Sequence, residues 1–218
     1  MGWLGRFYRS TIGRKVVMAA SGIVLVVYLL VHTAGNLLVF RGPQAINDYA
    51  HFLQSSAALL WTVRIILLLA LVFHVHSAWT LSRDARAARP MAYRRLEKQA
   101  SGWAARSMGW GGVLLLLFVI YHILHLTTGT VHPRFVTGEV YDNIIAGFRV
   151  PAVAGFYLLA MVALGLHLRH GVWSVFQTLG VSHPHLSPLR RRLAVVLAVL
   201  VSVGLAVIPL AIVLGLFP

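Results

Sequence analysis

Seven histidines, His32, His74, His76, His122, His125, His167 and His170, lie inside long apolar stretches of the sequence. A neutral imidazole nitrogen binds a metal, and a ring that titrates near neutrality carries a proton. A polar ring in hydrocarbon is costly and faces the interior of a helix bundle with a partner, so interhelical hydrogen bonding is a third use. The chain holds eleven histidines and no cysteine. That excludes disulfides, thiolate ligation of an iron–sulfur cluster, covalent c-type haem attachment and a cysteine nucleophile. No glycine-rich phosphate loop follows a predicted strand, so no dinucleotide site is expected.

The elements that must position these rings are membrane helices. Apolar residues make up 59% of the 218-residue chain and charged residues 11%, against about 45–50% and about 25% in soluble domains. The apolar runs are continuous rather than alternating, which predicts helices and not a β-barrel. Five segments reach the length of about 20 residues that a bilayer requires: about 16–40, 57–82, 107–131, 150–177 and 193–217, the last with a kink expected at Pro209. The fold class expected is all-α, one five-helix membrane bundle over 1–218 with no soluble domain between the spans. The basic stretch 1–15 precedes an apolar run too long for a signal-peptide h-region, so no cleavable signal is expected.

The net charge is +14, with the basic residues in short clusters between apolar runs. That distribution suits membrane topology rather than nucleic acid. The N-terminal arm (Arg6, Arg9, Arg14, Lys15), the second connection (seven Lys and Arg over 83–106) and the fourth (Arg169, Arg190, Arg191, Arg192) hold fifteen of them, against Arg41, Arg64, Arg134 and Arg149 on the other side. By the positive-inside rule the N-terminus is cytoplasmic and the C-terminus outside.

Depth sorts the histidines. His32 lies 16 residues after Val16 and His122 lies 15 residues after Ser107, on two outward-running helices. His74 lies 9 residues before Arg83, and His167 lies past the middle of its helix; both helices run inward. His32 and His122 therefore share an outer level and His74 and His167 an inner one, separated by roughly 10–15 Å at 1.5 Å per residue. Two histidines at one level on different helices can clamp a planar macrocycle. A bis-imidazole haem leaves iron no open position, which favours electron transfer over oxygen chemistry. Periodicity leaves three choices open: His74 and His76 point about 200° apart, while His122/His125 and His167/His170 are each one turn apart.

Several segments resemble a known family: Gly13-Arg14-Lys15 with Met18-Ala19-Ala20-Ser21-Gly22; His32-Thr33-Ala34-Gly35-Asn36-Leu37; Phe73-His74; Arg89-Pro90; Ser101 through Met108; and Ala163 through Gly171, continued by Phe176-Gln177-Thr178-Leu179-Gly180. In order and spacing they resemble the di-haem, five-helix cytochrome b anchor of succinate dehydrogenases and fumarate reductases, over nearly the whole chain. The resemblance implies two b haems with axial ligands His32 and His122 for one, His74 and His167 for the other. It takes His167 from the spacing to Gly171, and His122 from the spacing to Gly112. His76, His125 and His170 become neighbours of the ligands or packing residues. It further implies an iron–sulfur subunit and a flavoprotein subunit as partners, membrane quinone as substrate, and a multi-pass location in a bacterial cytoplasmic membrane. Enzyme activity would belong to that complex rather than to the isolated chain.

Other residues carry weaker expectations. Ser101, Trp103, Arg106 and Arg169 lie where haem propionates need donors or cations; plain topology and snorkelling would place the arginines there too. Gly22, Gly35, Gly165 and Gly171 suit close approach of a helix or a macrocycle. The basic connection 83–106 suits an acidic partner surface. The family often handles quinone near the outer haem, where this chain offers Asn36, Asn47, Asp48, Tyr49, His51 and Arg64. His51, with Asp48 or Arg64, is the expected proton-carrying group; the alternative is a capped surface turn over Asn47–His51. Family members often use an acidic residue at such a site, and Asp48 is the sole carboxylate of that loop. Two other functions compete: a di-haem anchor of a formate dehydrogenase or hydrogenase, and a haem-free transporter with a histidine proton relay. The absence of Asp or Glu well inside a span weighs against the latter.

Overall fold

The computed structural model describes residues 2–88, 103–181 and 183–217, and of residues 103–106 only the backbone. All regular structure among the described residues is helical: α1 Trp3–Arg9, α2 Thr11–Asn36, α3 Pro43–Gln54, α4 Ala57–Ala87, α5 Trp103–Leu126, α6 Val140–Phe148, α7 Pro151–Thr178 and α8 Ser187–Val213. Five of these, α2, α4, α5, α7 and α8, are long and apolar enough to cross a membrane.

Local signals set the helix ends. Ser10 caps α2 by accepting the Gly13 N–H at 2.9 Å, so this helix starts five residues before the apolar run. It tightens into a 3-10 turn over Leu37–Arg41 and stops at Gly42, whose φ of 96° suits glycine. Pro43 then opens α3 at a position where its missing N–H costs nothing. Ser56 caps α4 through the Leu59 N–H. The helix expected over 107–131 instead runs from Trp103 to Leu126, because a turn through Gly129, φ 73°, ends it. Pro209 is buried inside α8, which continues through it to Val213.

The central helix is α7, which packs along α8 and α5 and also meets α2. Its buried residues include Ala154, Tyr157, Ala160, Met161, Leu164 and Leu168. The two helices bury small residues, Ala154 and Ala160 on α7 and Ala194 and Ala198 on α8, and a Cβ at Gly165 would lie 3.0 Å from Ser202 Oγ across their seam. Small faces let backbones approach where lipid provides no hydrophobic drive between helices. By contrast α4 packs along α2 and exposes Ile65, Ile66, Leu68, Leu69 and Val72, as a lipid-facing helix does. Backbone packing is close between α2 and α4 and between α5 and α7, but not between α4 and α7 or between α2 and α5.

The two ends of the bundle differ. At one end α3 and α6 lie against each other. Asn47 joins them: its Oδ1 accepts the Tyr141 N–H at 3.0 Å and its Nδ2 donates to Glu139 at 3.2 Å. Asn143, buried in α6, holds both backbone groups of Val136 at 2.9 and 2.7 Å. At the other, basic end, Arg14 pairs with Asp84 at 2.6 Å and ties α2 to α4. There the buried Arg190 guanidinium donates to the carbonyls of Val181 and His183 and to Ser187, closing the turn from α7 into α8.

Candidate cofactor site

Four helices bring their histidines together as two pairs. His32 of α2 faces His122 of α5 with ring centroids 5.8 Å apart and planes at 88°. His74 of α4 faces His167 of α7 at 6.1 Å and 58°. These are the helix pairs whose backbones do not pack closely, so the imidazoles reach across gaps that the backbones leave. Along α7, Tyr157 is level with His122 and lies ten residues before His167, about 15 Å at 1.5 Å per residue.

Each ring has a distinct environment. Nδ1 of His74 lies 3.1 Å from the Met18 carbonyl oxygen, which only accepts, so Nδ1 carries the proton and Nε2 the lone pair. Ser21 Oγ lies 3.4 Å from the same Nδ1. Gly22 permits this approach, since a Cβ there would sit 3.3 Å from His74 Cε1. Nδ1 of His167 is buried and has no hydrogen-bond partner among the described residues. In the other pair, His32 Nδ1 meets Tyr28 Oη at 3.3 Å, and the two rings stack at 5.2 Å. His122 Nδ1 meets Tyr157 Oη at 3.2 Å, and its ring stacks on Phe118 at 5.8 Å. Three of the four rings thus engage Nδ1, and no protein hydrogen bond engages their Nε2 among the described residues.

That donor set fits a six-coordinate metal centre. Two imidazoles on opposite sides of a metal, with metal–nitrogen bonds of about 2.0–2.1 Å, have centroids about 6 Å apart, as both pairs do. Hydrogen bonding through Nδ1 with a free Nε2 is the usual arrangement around a metal-bound histidine.

The chain is similar to the succinate dehydrogenase cytochrome b558 subunit of Bacillus subtilis. The two are 24% identical over 188 residues, covering 84% of this chain and 86% of the relative. No family model matches the chain, and no solved structure matches it.

The remaining histidines fall elsewhere. His76 is exposed and takes the Tyr8 hydroxyl at 2.5 Å, which docks α1 on α4. His125 is fully buried, with Nδ1 3.1 Å from Tyr157 Oη, and stacks on His132 at 4.8 Å. His170 is half-buried and joins neither pair. Arg169 is exposed. Ser101 lies outside the described residues, as do the side chains of Trp103 and Arg106. A Cβ at Gly171 would meet nothing within 4 Å, and one at Gly35 would meet the Tyr49 ring.

Asp48, His51 and Arg64 are all exposed and form no ion pair or hydrogen bond with one another. Asp48 accepts from Gln44 at 3.4 Å, and Arg64 lies over the Trp61 ring at 5.2 Å. The stretch from Asn47 to His51 is part of α3 rather than a turn. A cavity of about 500 Å³ at this end is lined by Arg134, Asp142, Ile145, Arg149 and Val150 among others. Sequence reasoning did not single out Tyr28, Tyr157 or the Met18 carbonyl. Tyr28 was within reach of it, because it lies four residues before His32 on the same helix face. Tyr157 lies 35 residues from His122, and no local pattern joins them.

Proposed function

We propose that this chain is the membrane-anchor cytochrome b subunit of a succinate:quinone oxidoreductase, with two b haems, passing electrons between a cytoplasmic iron–sulfur subunit and membrane quinone. One observation carries the reading: four intramembrane histidines on four helices meet as two pairs, at two levels, across gaps between the backbones. The similarity to the Bacillus subtilis subunit, which extends over most of both chains, supports the same reading. When bound, haem b supplies one-electron chemistry between ferric and ferrous iron.

The chain's own residues do the rest. His32 with His122, and His74 with His167, would each hold one haem through their imidazole nitrogens, a ligand set that suits electron transfer rather than oxygen chemistry. Met18, Tyr28 and Tyr157 hold Nδ1 of their histidines and so fix ring orientation. Arg169, with Ser101, Trp103 and Arg106, balances propionate charge at the basic end. That end faces the cytoplasm under the positive-inside rule, and the connection 83–106 there receives the iron–sulfur subunit, which a flavoprotein subunit completes. On the opposite side, His51 of α3, with Asp48 or Arg64, carries the proton that quinone chemistry requires.

The test is purification of the intact complex in mild detergent. Succinate-reducible b haem and a co-purifying flavoprotein with an iron–sulfur subunit are expected. A metal-dependent formate dehydrogenase or hydrogenase subunit in their place would reassign the anchor, and a colourless protein would leave a histidine proton relay. Within the complex, His51→Ala is expected to depress quinone-linked turnover while leaving both haem spectra and dye-linked succinate oxidation intact. Unchanged quinone turnover would move the quinone site to the basic end, around Ser21, Trp103 and Arg106.

A further inference from the structure

We infer that Tyr157 is a positioning residue for the His32–His122 centre, and that His125 sets the direction in which its hydroxyl acts; this rests on the haem reading proposed above. The Tyr157 hydroxyl lies 3.2 Å from His122 Nδ1 and 3.1 Å from His125 Nδ1. A phenol has one proton, so it donates to one of these nitrogens and accepts from the other. If it donated to His122 Nδ1, the single N–H proton of that neutral ring would sit on Nε2, the nitrogen needed for iron. If it donates to His125 Nδ1, His122 Nδ1–H donates to the phenol oxygen, and His122 Nε2 is left with its lone pair. Only the second arrangement serves a ligand at His122, and it requires an acceptor at His125.

The surroundings hold the phenol in place. The Tyr157 ring is 6% exposed and packs edge-on against Phe118 at 4.9 Å and Phe148 at 4.7 Å. His125 is itself clamped between Tyr121, stacked at 5.4 Å, and His132, stacked at 4.8 Å. His132 is fixed in turn: it accepts the Arg134 N–H at Nδ1 and donates from Nε2 to the Asn143 carbonyl at 2.9 Å. A Cβ at Gly147 would lie 2.7 Å from His125 Cε1, so the chain is narrowed to glycine where this ring fits. A fully buried histidine outside both pairs thus has a use, as the acceptor that orients the hydroxyl.

An acceptor on Nδ1–H raises the basicity of a metal-bound imidazole and favours ferric over ferrous iron. The experiment is a potentiometric titration of both haems in the purified complex, for the natural sequence, Tyr157→Phe, His125→Phe and Phe148→Leu. Tyr157→Phe is expected to lower the ferric preference of the His32–His122 haem about tenfold, an upward shift of about 59 mV for a one-electron couple. The His74–His167 haem should not move. His125→Phe keeps the ring and removes the acceptor, so the same haem should shift by a smaller amount. Phe148→Leu disturbs the packing around Tyr157 while touching neither the Tyr157 hydroxyl's hydrogen bonds nor the rings of His32 and His122, and should shift neither. Two haems that are both unmoved in Tyr157→Phe, or that move together, overturn the inference. If Tyr157→Phe fails to assemble, an unmoved potential in His125→Phe overturns it. Fewer than two haems in the natural sequence would instead refute the haem reading itself.

Discussion

At the His74–His167 pair a backbone carbonyl, that of Met18, takes the Nδ1 proton of one ring, while Nδ1 of the other is buried without a partner among the described residues. At the His32–His122 pair two phenols, Tyr28 and Tyr157, stand in that place, within a cluster of stacked aromatic rings. The first pair is oriented by main chain and by the close approach that Gly22 allows. The second is oriented by side chains from its own helix and from α7. A carbonyl cannot be deleted by substitution, but a hydroxyl can. The His32–His122 pair is therefore the one whose orientation single side chains set, whereas the orientation of the His74–His167 pair depends on how α2 and α4 are spaced.

The largest effects should come from breaking one pair at a time. Replacing His74 or His167 by Ala is expected to remove one haem b and keep the other, and replacing His32 or His122 to remove the complementary one. Haem per chain and the split of the reduced-minus-oxidised α-band report this. Loss of haem in His76→Ala, with both retained in His74→Ala, would reverse the assignment on α4.

Gly22→Leu should come next. It pushes a side chain into the space of His74, where even a Cβ would sit 3.3 Å from Cε1. Haem at that pair should be held about 10- to 100-fold more weakly, with the other unaffected. Haem loss during dilution in detergent measures it, and equal loss at both pairs would mean that α2 had shifted as a whole.

Smaller effects distinguish the two modes of orientation. Tyr28→Phe removes a long hydrogen bond of 3.3 Å and should raise the His32–His122 potential by less than about 59 mV. Ser21→Ala should leave the His74–His167 potential where it is, because the Met18 carbonyl still holds the ring and Ser21 Oγ bonds mainly to the Val17 and Met18 carbonyls. A Ser21→Ala shift as large as that of Tyr28→Phe would contradict a main-chain orientation of His74.

The smallest effect is expected at His76→Ala, which frees α1 from α4. Interhelical hydrogen bonds in membrane proteins average about 0.6 kcal/mol, so proteolysis of the N-terminal arm should quicken while both haem spectra stay unchanged.

The sequence allowed the pairing to be read by height, because α-helical rise turns residue counts into depth: His32 with His122, His74 with His167. The rotation of each helix about its axis was not legible. It depends on which small residues allow approach, and that is why His74 rather than His76 faces His167, and why His122 and His125 divide one hydroxyl between them. The short helices α3 and α6 went unread because they are amphipathic segments between spans, although Gly42-Pro43 is a start signal in plain view. Arg190 was read as a topological charge, yet its guanidinium closes the α7–α8 turn, a use that charge counting cannot distinguish. Asp48, His51 and Arg64 share a region in sequence, but their side chains are spread over exposed faces of α3 and α4.

Each pair is proposed to hold one haem by two imidazoles. Electron paramagnetic resonance of the oxidised, purified complex, with haem b counted per chain, tests it most directly. Two low-spin bis-imidazole signals are predicted, at two haems per copy of this chain, one lost in His167→Ala and the other in His122→Ala. A single haem per chain, a high-spin signal that binds carbon monoxide on reduction, or loss of the same signal in both variants would contradict the account.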